Sequence, residues 1–217
     1  MTESTAIDGV ITGPIGLALV VAGEREGIHG HEHWRRVGEN AIDLAHDEGV
    51  SCHVALLFAI LHDCCRENDG HDPGHGPRAA ELAETLGHEA LGLTPDELRT
   101  LTYAMHHHDR GQVTDDPLVG ACWDADRLDL IRVGTRPDPA LLSTTSGRDP
   151  VRIALCSDHR SGPPTWERLV KRLADPGRLT MDEQIRRFDA NPRFTRAKPE
   201  SDAVTVTPRR ARARVAG

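Results

Sequence analysis

The sequence predicts an all-α protein, a bundle of packed helices. Apolar residues recur at three- and four-residue spacing in one segment after another, and start and stop signals separate those segments. Strand-like alternation of β-branched residues is confined to residues 203–207. Aromatic residues make up only 3% of the 217-residue chain, so its 38% hydrophobic content rests on Leu, Val, Ile and Ala, which suit helix-on-helix packing.

The elements follow in order. Residues 5–25 hold a short helix, interrupted by Gly9, Gly13, Gly16 and Gly23. A Gly/His loop, GIHGHEH, comes next. From about residue 33 to 47, Trp34, Val37, Ala41, Ile42, Leu44 and Ala45 repeat at helical spacing, and Gly49 stands where that helix would stop. Ser51 is placed to cap a helix through Val54, Leu57, Phe58 and Leu61. NDGHDPGHG is a turn-rich loop, and a helix follows from about His75 through Arg78, Ala79, Leu82 and Leu86. Thr94, Pro95 and Glu97 form a capping-box pattern that opens a helix through Leu98, Leu101 and Met105 to the run His106-His107-His108-Asp109. Asp115-Asp116-Pro117 opens another, expected to run to Leu130. Residues 150–174 add one or two shorter helices. The helical domain is thus expected over residues 1–174, and residues 175–217, rich in Pro, Arg and polar residues, as a loose tail.

Composition narrows the function. A net charge of −8 argues against a general nucleic-acid binder. The charge is uneven: residues 193–217 carry seven basic and two acidic side chains, and their RRARAR run reads as a short solvated tail. The five cysteines are odd in number and include no C-x-x-C pair, which fits free thiols in a reducing compartment. Cys64 and Cys65 read as small apolar residues. The longest apolar run, residues 15–22, is too short to span a bilayer, and no basic segment precedes it to make a signal peptide. A cytoplasmic protein is expected.

The thirteen histidines are the unusual feature, and most fall between His29 and His108. His62-Asp63 ends the apolar helix that carries Phe58 and Leu61. A lone His-Asp pair there would be an ordinary polar helix end. This one has company. His33 opens an amphipathic helix upstream, and Asp124, Asp126 and Asp129 interrupt an otherwise apolar helix downstream. Carboxylates at buried positions are costly unless paired or metal-bound. A histidine, a His-Asp pair and an aspartate on three helices make the pattern of a divalent site in a bundle. Imidazole with carboxylate suits Mn, Fe, Co, Ni or Zn better than Mg or Ca.

Over residues 28–135 the sequence resembles the HD-domain metal-dependent phosphohydrolases, whose pattern is H…HD…D. His33-Trp-Arg-Arg36-Val37 fits the H-x-x-R-V piece, Leu61-His62-Asp63 the HD piece and Ala125-Asp126-Arg127-Leu128 the A-D-x-L piece. The resemblance implies an HD-domain helical bundle with a metal site between helices. It also implies His33, His62, Asp63 and Asp126 as the four ligands of one divalent transition metal. Asp124 is the alternative to Asp126, and His29 and His31 are alternatives to His33. His75, in His75-Gly-Pro-Arg-Ala-Ala80, and His108 match two further histidines of the family, which hold either a second metal or the substrate phosphate. The sequence departs from several nucleotide-hydrolysing members, which carry a glutamate four residues after the HD histidine. Arg66 stands there, and Glu67 lies one residue on, toward another face.

The implied function is hydrolysis of a small phosphate ester or nucleotide by a metal-activated water. Asp63, or a nearby acid such as Asp124 or Asp69, would take the proton. Arg66, Arg78, His75 and His108 would neutralise the phosphoryl charge. Two alternatives remain open on this fold: a di-iron oxygenase, since the chain can supply six ligands, and a non-catalytic metal or nucleotide sensor. The expected partner is a small phosphorylated substrate. Neither a membrane nor nucleic acid is expected, and a homo-oligomer is left open.

Overall fold

The computed structural model describes residues 11–156 and 162–174 of the chain. Among them the regular elements are all helical. They are α1 (Gly13–Ala22), α2 (His31–Asp47), α3 (Cys52–Leu61), α4 (His75–Leu86), α5 (Pro95–His107), α6 (Pro117–Leu128), α7 (Pro150–Cys156) and α8 (Trp166–Ala174). The loose tail expected from residue 175 and the alternating residues 203–207 lie outside the described residues. No helix among the described residues is long and apolar enough to cross a membrane.

Helix α3 forms the axis of the bundle. Every residue from Val54 to Leu61 is buried, as a helix apolar on all sides requires. Ser51 caps it by accepting from the Val54 N–H. Helix α2 packs on α3 and α6, α4 packs on α5, and α1, α5 and α6 complete the jacket around α3. Trp34, Trp123, Phe58 and Leu61 lie in the shared core. Helix α8 lies on α2, burying Trp166 and Leu169.

Local chemistry sets the helix boundaries. Gly49 takes a φ of +68° just past α2, a left-handed conformation that a side chain would resist. Thr94 and Glu97 close the capping box at the start of α5. The Asp116 carboxylate accepts from the Leu118 and Val119 N–H groups at the start of α6. One boundary differs from expectation. Helix α6 ends at Leu128 rather than Leu130, and the chain tightens into a 3₁₀ turn, Asp129–Val133. The Asp129 carboxylate is drawn across to α2, where His33 and Arg36 hold it.

This packing gathers five helix ends at one pole. They are the start of α2, the end of α3, the start of α4, the end of α5 and the last turn of α6. Gly76 permits the closest approach. A Cβ there would sit 2.6 Å from the Met105 carbonyl oxygen and 3.4 Å from His108 Nδ1. The start of α4 can therefore press on the end of α5 only because residue 76 has no side chain. Gly76→Ala is expected to cost about 1–3 kcal/mol of stability, as overpacking of a tight contact does. Urea unfolding monitored by circular dichroism measures it.

Candidate metal centre

The five helix ends bring together five histidines and two aspartates from residues 29–126. His33 lies in the first turn of α2, and His62 and Asp63 directly follow α3. His75 opens α4, His108 follows α5, and Asp126 lies in the last turn of α6. His29 joins them from the loop before α2. His33, His62, Asp63, His75 and His108 are all buried, so removing them from water needs a compensating partner.

Each core imidazole is fixed through its Nδ1. His62 Nδ1 lies 3.2 Å from the carbonyls of Phe58 and Ala59. His108 Nδ1 donates to the Met105 carbonyl at 2.7 Å. His75 Nδ1 donates to the Asp72 carbonyl. His33 Nδ1 donates to Asp129 Oδ2 at 2.7 Å, and that carboxylate is also held by Arg36 Nε at 2.8 Å. A carbonyl can only accept, and an Arg-paired carboxylate is ionised, so all four rings carry the proton on Nδ1. Their Nε2 lone pairs then face inward. His33 Nε2 and His62 Nε2 stand 3.2 Å apart, and His75 Nε2 and His108 Nε2 stand 2.9 Å apart.

Lone pair against lone pair at these distances is repulsive, and the neighbouring carboxylates add negative charge. Asp63 Oδ2 lies 3.7 Å from both His33 Nε2 and His62 Nε2. Asp126 Oδ1 lies 3.4 Å and 3.8 Å from the same two nitrogens. On its other side, Asp63 Oδ1 lies 3.1 Å from His75 Nε2 and 3.5 Å from His108 Nε2. One carboxylate thus reaches two imidazole pairs. Only positive charge placed between the donors resolves the arrangement. The donor set fits a divalent transition ion, and these buried His/Asp groups could hold one.

Without an ion, protons must supply that charge. Burial lowers the pKa of His33, but its hydrogen bonds to Asp126 and Asp129 outweigh it, and the net shift is upward. The same holds for His108, where Asp63 overcomes burial. Burial wins at His62, whose pKa falls to about 3. Burial raises the pKa of Asp63, but the imidazoles around it, those of His62, His108, His29 and His75, hold it well below its usual range. Asp126 is lowered too, its burial outweighed by His33 and His62.

The remaining residues singled out in the sequence fall in different places. Arg66 reaches the cluster. Its Nη1 lies 3.0 Å from the His75 ring nitrogens and 3.5 Å from Asp63 Oδ1. Arg78 faces away and braces the chain, donating to the Cys65 carbonyl and to Asp72. Asp124 is also turned from the cluster. Its oxygens accept from the Ser143 and Thr144 N–H groups and the Thr144 hydroxyl, each at 2.7 Å, which anchors the loop after α6. Asp69 pairs with Arg25 at 3.6 Å, and Glu67 stands exposed near Arg78. His31 Nε2 donates to the Gly23 carbonyl at 2.8 Å, and its ring packs on Trp34. His106 and His107 lie with Tyr103 on the outer face between α4 and α5. Of the proposed proton acceptors, therefore, Asp63 is in the cluster and Asp124 is a loop anchor.

Two neighbours named in the sequence without a role of their own orient the cluster. Asp129 lies one turn beyond Asp126, and Arg36 one turn beyond His33, so i+3 spacing from each candidate ligand marks them. His29, held as an alternative to His33, accompanies it. Its Nδ1 lies 2.7 Å from Asp63 Oδ2, and Arg132 clips its loop by donating to the Ile28 carbonyl at 2.9 Å.

Neither a family model nor a curated protein matches the sequence. A solved structure does match the fold. It is that of a protein from an uncultured Thermotogales bacterium, described as a predicted HD superfamily hydrolase, with a TM-score of 0.50 and 24% identity over 76% of this chain and 91% of that one. The chain has the HD-domain fold. The helix-end cluster lies between the helices of that HD-domain bundle.

Two outcomes follow from the geometry. A metal held here would compete with protons for His33 and His108, whose pKa values lie above the ordinary 6.5. Affinity is therefore full above those raised values, falls as pH drops through them, and binding releases protons. A chelator-competition titration between about pH 8 and pH 5 should show that decline, and a flat profile would contradict the donor assignment. Asp124→Ala should cost about 2–4 kcal/mol by leaving buried donors unpaired, with metal affinity unchanged. Thermal unfolding and the same titration measure both.

Proposed function

We propose that the chain is a divalent-metal-dependent phosphohydrolase acting on a small phosphate ester or nucleotide. The observation that carries this reading is the Asp63 carboxylate, set between two pairs of inward-facing imidazoles. His33, His62, Asp126 and Asp63 Oδ2 would hold one ion, and His75, His108 and Asp63 Oδ1 a second. The description of the solved structure as a hydrolase supports the reaction class.

When bound, the divalent ion supplies Lewis-acid polarisation of a phosphoryl oxygen and an acidified water. The protein's own groups do the rest. Asp63, with its pKa held down, stays ionised and can receive a hydrogen bond from the attacking water. Arg66 presents a guanidinium beside His75, where it can neutralise charge developing on the phosphoryl oxygens. Substrate would enter on the side where Asp126 and His29, the least buried members at 19% and 17% side-chain exposure, meet solvent.

The six donors shared across Asp63 also favour a second reading, a di-iron oxygenase. The test is a panel of phosphomonoesters, phosphodiesters and nucleotides offered to the protein loaded with Mn, Co or Ni. Release of phosphate or of a nucleoside product without oxygen is expected, and Asp63→Ala should lose both metal and activity. Iron-dependent oxygen consumption without phosphate-ester turnover would move the assignment to the oxygenase. Metal binding with neither activity would leave a sensor.

A further inference from the structure

Cys64 and Cys65 follow the central aspartate directly, and the fold draws their thiols together. Consecutive side chains on an α-helix point about 100° apart, which separates them. Here α3 stops at Leu61 and the chain turns, with Cys64 N–H donating to the Leu61 carbonyl at 3.2 Å and Arg66 N–H to the Asp63 carbonyl at 3.1 Å. The two sulfurs come to 3.7 Å of one another. Both residues are half-buried. The thiols of Cys52 and Cys156 are directed elsewhere, to the Ile42 carbonyl and to Asn40 Oδ1, and Cys122 is buried within α6.

We propose that Cys64 and Cys65 form a vicinal dithiol that a low-molecular-weight disulfide oxidises to a Cys64–Cys65 disulfide, weakening the adjoining donor cluster. One cysteine thiolate attacks the small disulfide and releases one small thiol. The second cysteine thiolate then attacks the mixed disulfide and releases the other. The protein loses two hydrogens and two electrons, and the small disulfide becomes two thiols. The sulfurs must close from 3.7 Å to about 2.0 Å, a movement within reach of side-chain rotation and a small backbone shift. Adjacent Cα atoms lie only about 3.8 Å apart, short of the roughly 4.4–6.8 Å of ordinary disulfides, so the closed pair is strained. The bond is therefore readily reduced and the modification reversible.

The effect on the cluster follows contacts on either side of the pair. Asp63 is bonded directly to Cys64. The Cys65 carbonyl accepts from Arg78 Nε at 3.1 Å and Nη2 at 2.9 Å. The same guanidinium holds Asp72 Oδ2 at 2.6 Å, and the Asp72 carbonyl fixes His75 through its Nδ1. A shift at Cys65 thus reaches His75 through Arg78 and Asp72, and reaches Asp63 through the backbone.

The coupling rests on the metal-binding reading, whereas formation of the disulfide does not. The full chain, reduced and freed of reductant, is incubated with oxidised glutathione and then blocked with N-ethylmaleimide. The tryptic fragment 37–66, which contains Cys52, Cys64 and Cys65, is weighed, and metal affinity is measured on the same sample. The expected fragment lacks two hydrogens, carries one maleimide on Cys52, and reverts with a thiol reductant. Metal affinity should fall at least about tenfold, as loss of ligand-orienting contacts does. The double variant Cys64→Ala, Cys65→Ala should bind metal as the reduced protein does and ignore glutathione. Three blocked thiols, a persistent glutathione adduct, or a disulfide that leaves affinity unchanged would overturn the proposal. Failure of the reduced protein to bind metal would instead strike the functional reading, with the fragment's mass still reporting the disulfide.

Discussion

Two pairs of imidazole nitrogens confront each other across one carboxylate, and positive charge between them is the condition on which the site depends. The carbonyls of Phe58, Met105 and Asp72 and the carboxylate of Asp129 fix the Nδ1 protons. The inward nitrogens are thereby left as acceptors on largely buried rings. A protein that held these rings only for structure would gain nothing from turning every lone pair toward the others. The carboxylates of Asp126, Asp129 and Asp63 outweigh burial and raise the pKa values of His33 and His108. A divalent ion between the facing nitrogens would relieve their repulsion.

The bundle exists in a form that meets this condition. Helix α3 is apolar on every face and can be buried whole, which sets His62 and Asp63 at the end of a rigid rod. Phe58 stacks on the His62 ring at 5.0 Å and steadies it one turn back along that rod. The absent side chain at Gly76 lets α4 and α5 bring His75 and His108 together. Arg36 and Asp129 join the start of α2 to the turn after α6, so that His33 and Asp126 approach from opposite sides. Packing and electrostatics converge on a few side chains near helix ends, where short turns can aim them.

Much of this was legible in the sequence. Apolar spacing, Ser51, the Thr94–Glu97 box and the Asp116-Pro117 start located most helices to within a few residues, because caps and periodicity act locally. The motif pieces around His33, His62-Asp63 and Asp126 are short and tied to helix ends, so the sequence showed them as well. It was less informative about direction. Asp124 and Asp126 differ by two positions and so by opposite helix faces, yet both are acids in an apolar helix. Only the loop carrying Ser143 and Thr144 shows that Asp124 faces away. Arg78 looked like an anion ligand at a helix start, but its partners, Cys65 and Asp72, are set by the path of a loop with no periodic pattern. His29 stood in the sequence only as an alternative to His33 for the same reason, since its place beside Asp63 involves Arg132, more than a hundred residues on.

Facing imidazoles of this kind call for a metal between them. Elemental analysis of the full chain, purified without chelator or immobilised nickel, tests this most directly. One divalent transition ion per chain is expected, rising to two when metal is in excess. A chain that stays free of metal after reconstitution above pH 7, while remaining folded, would contradict it.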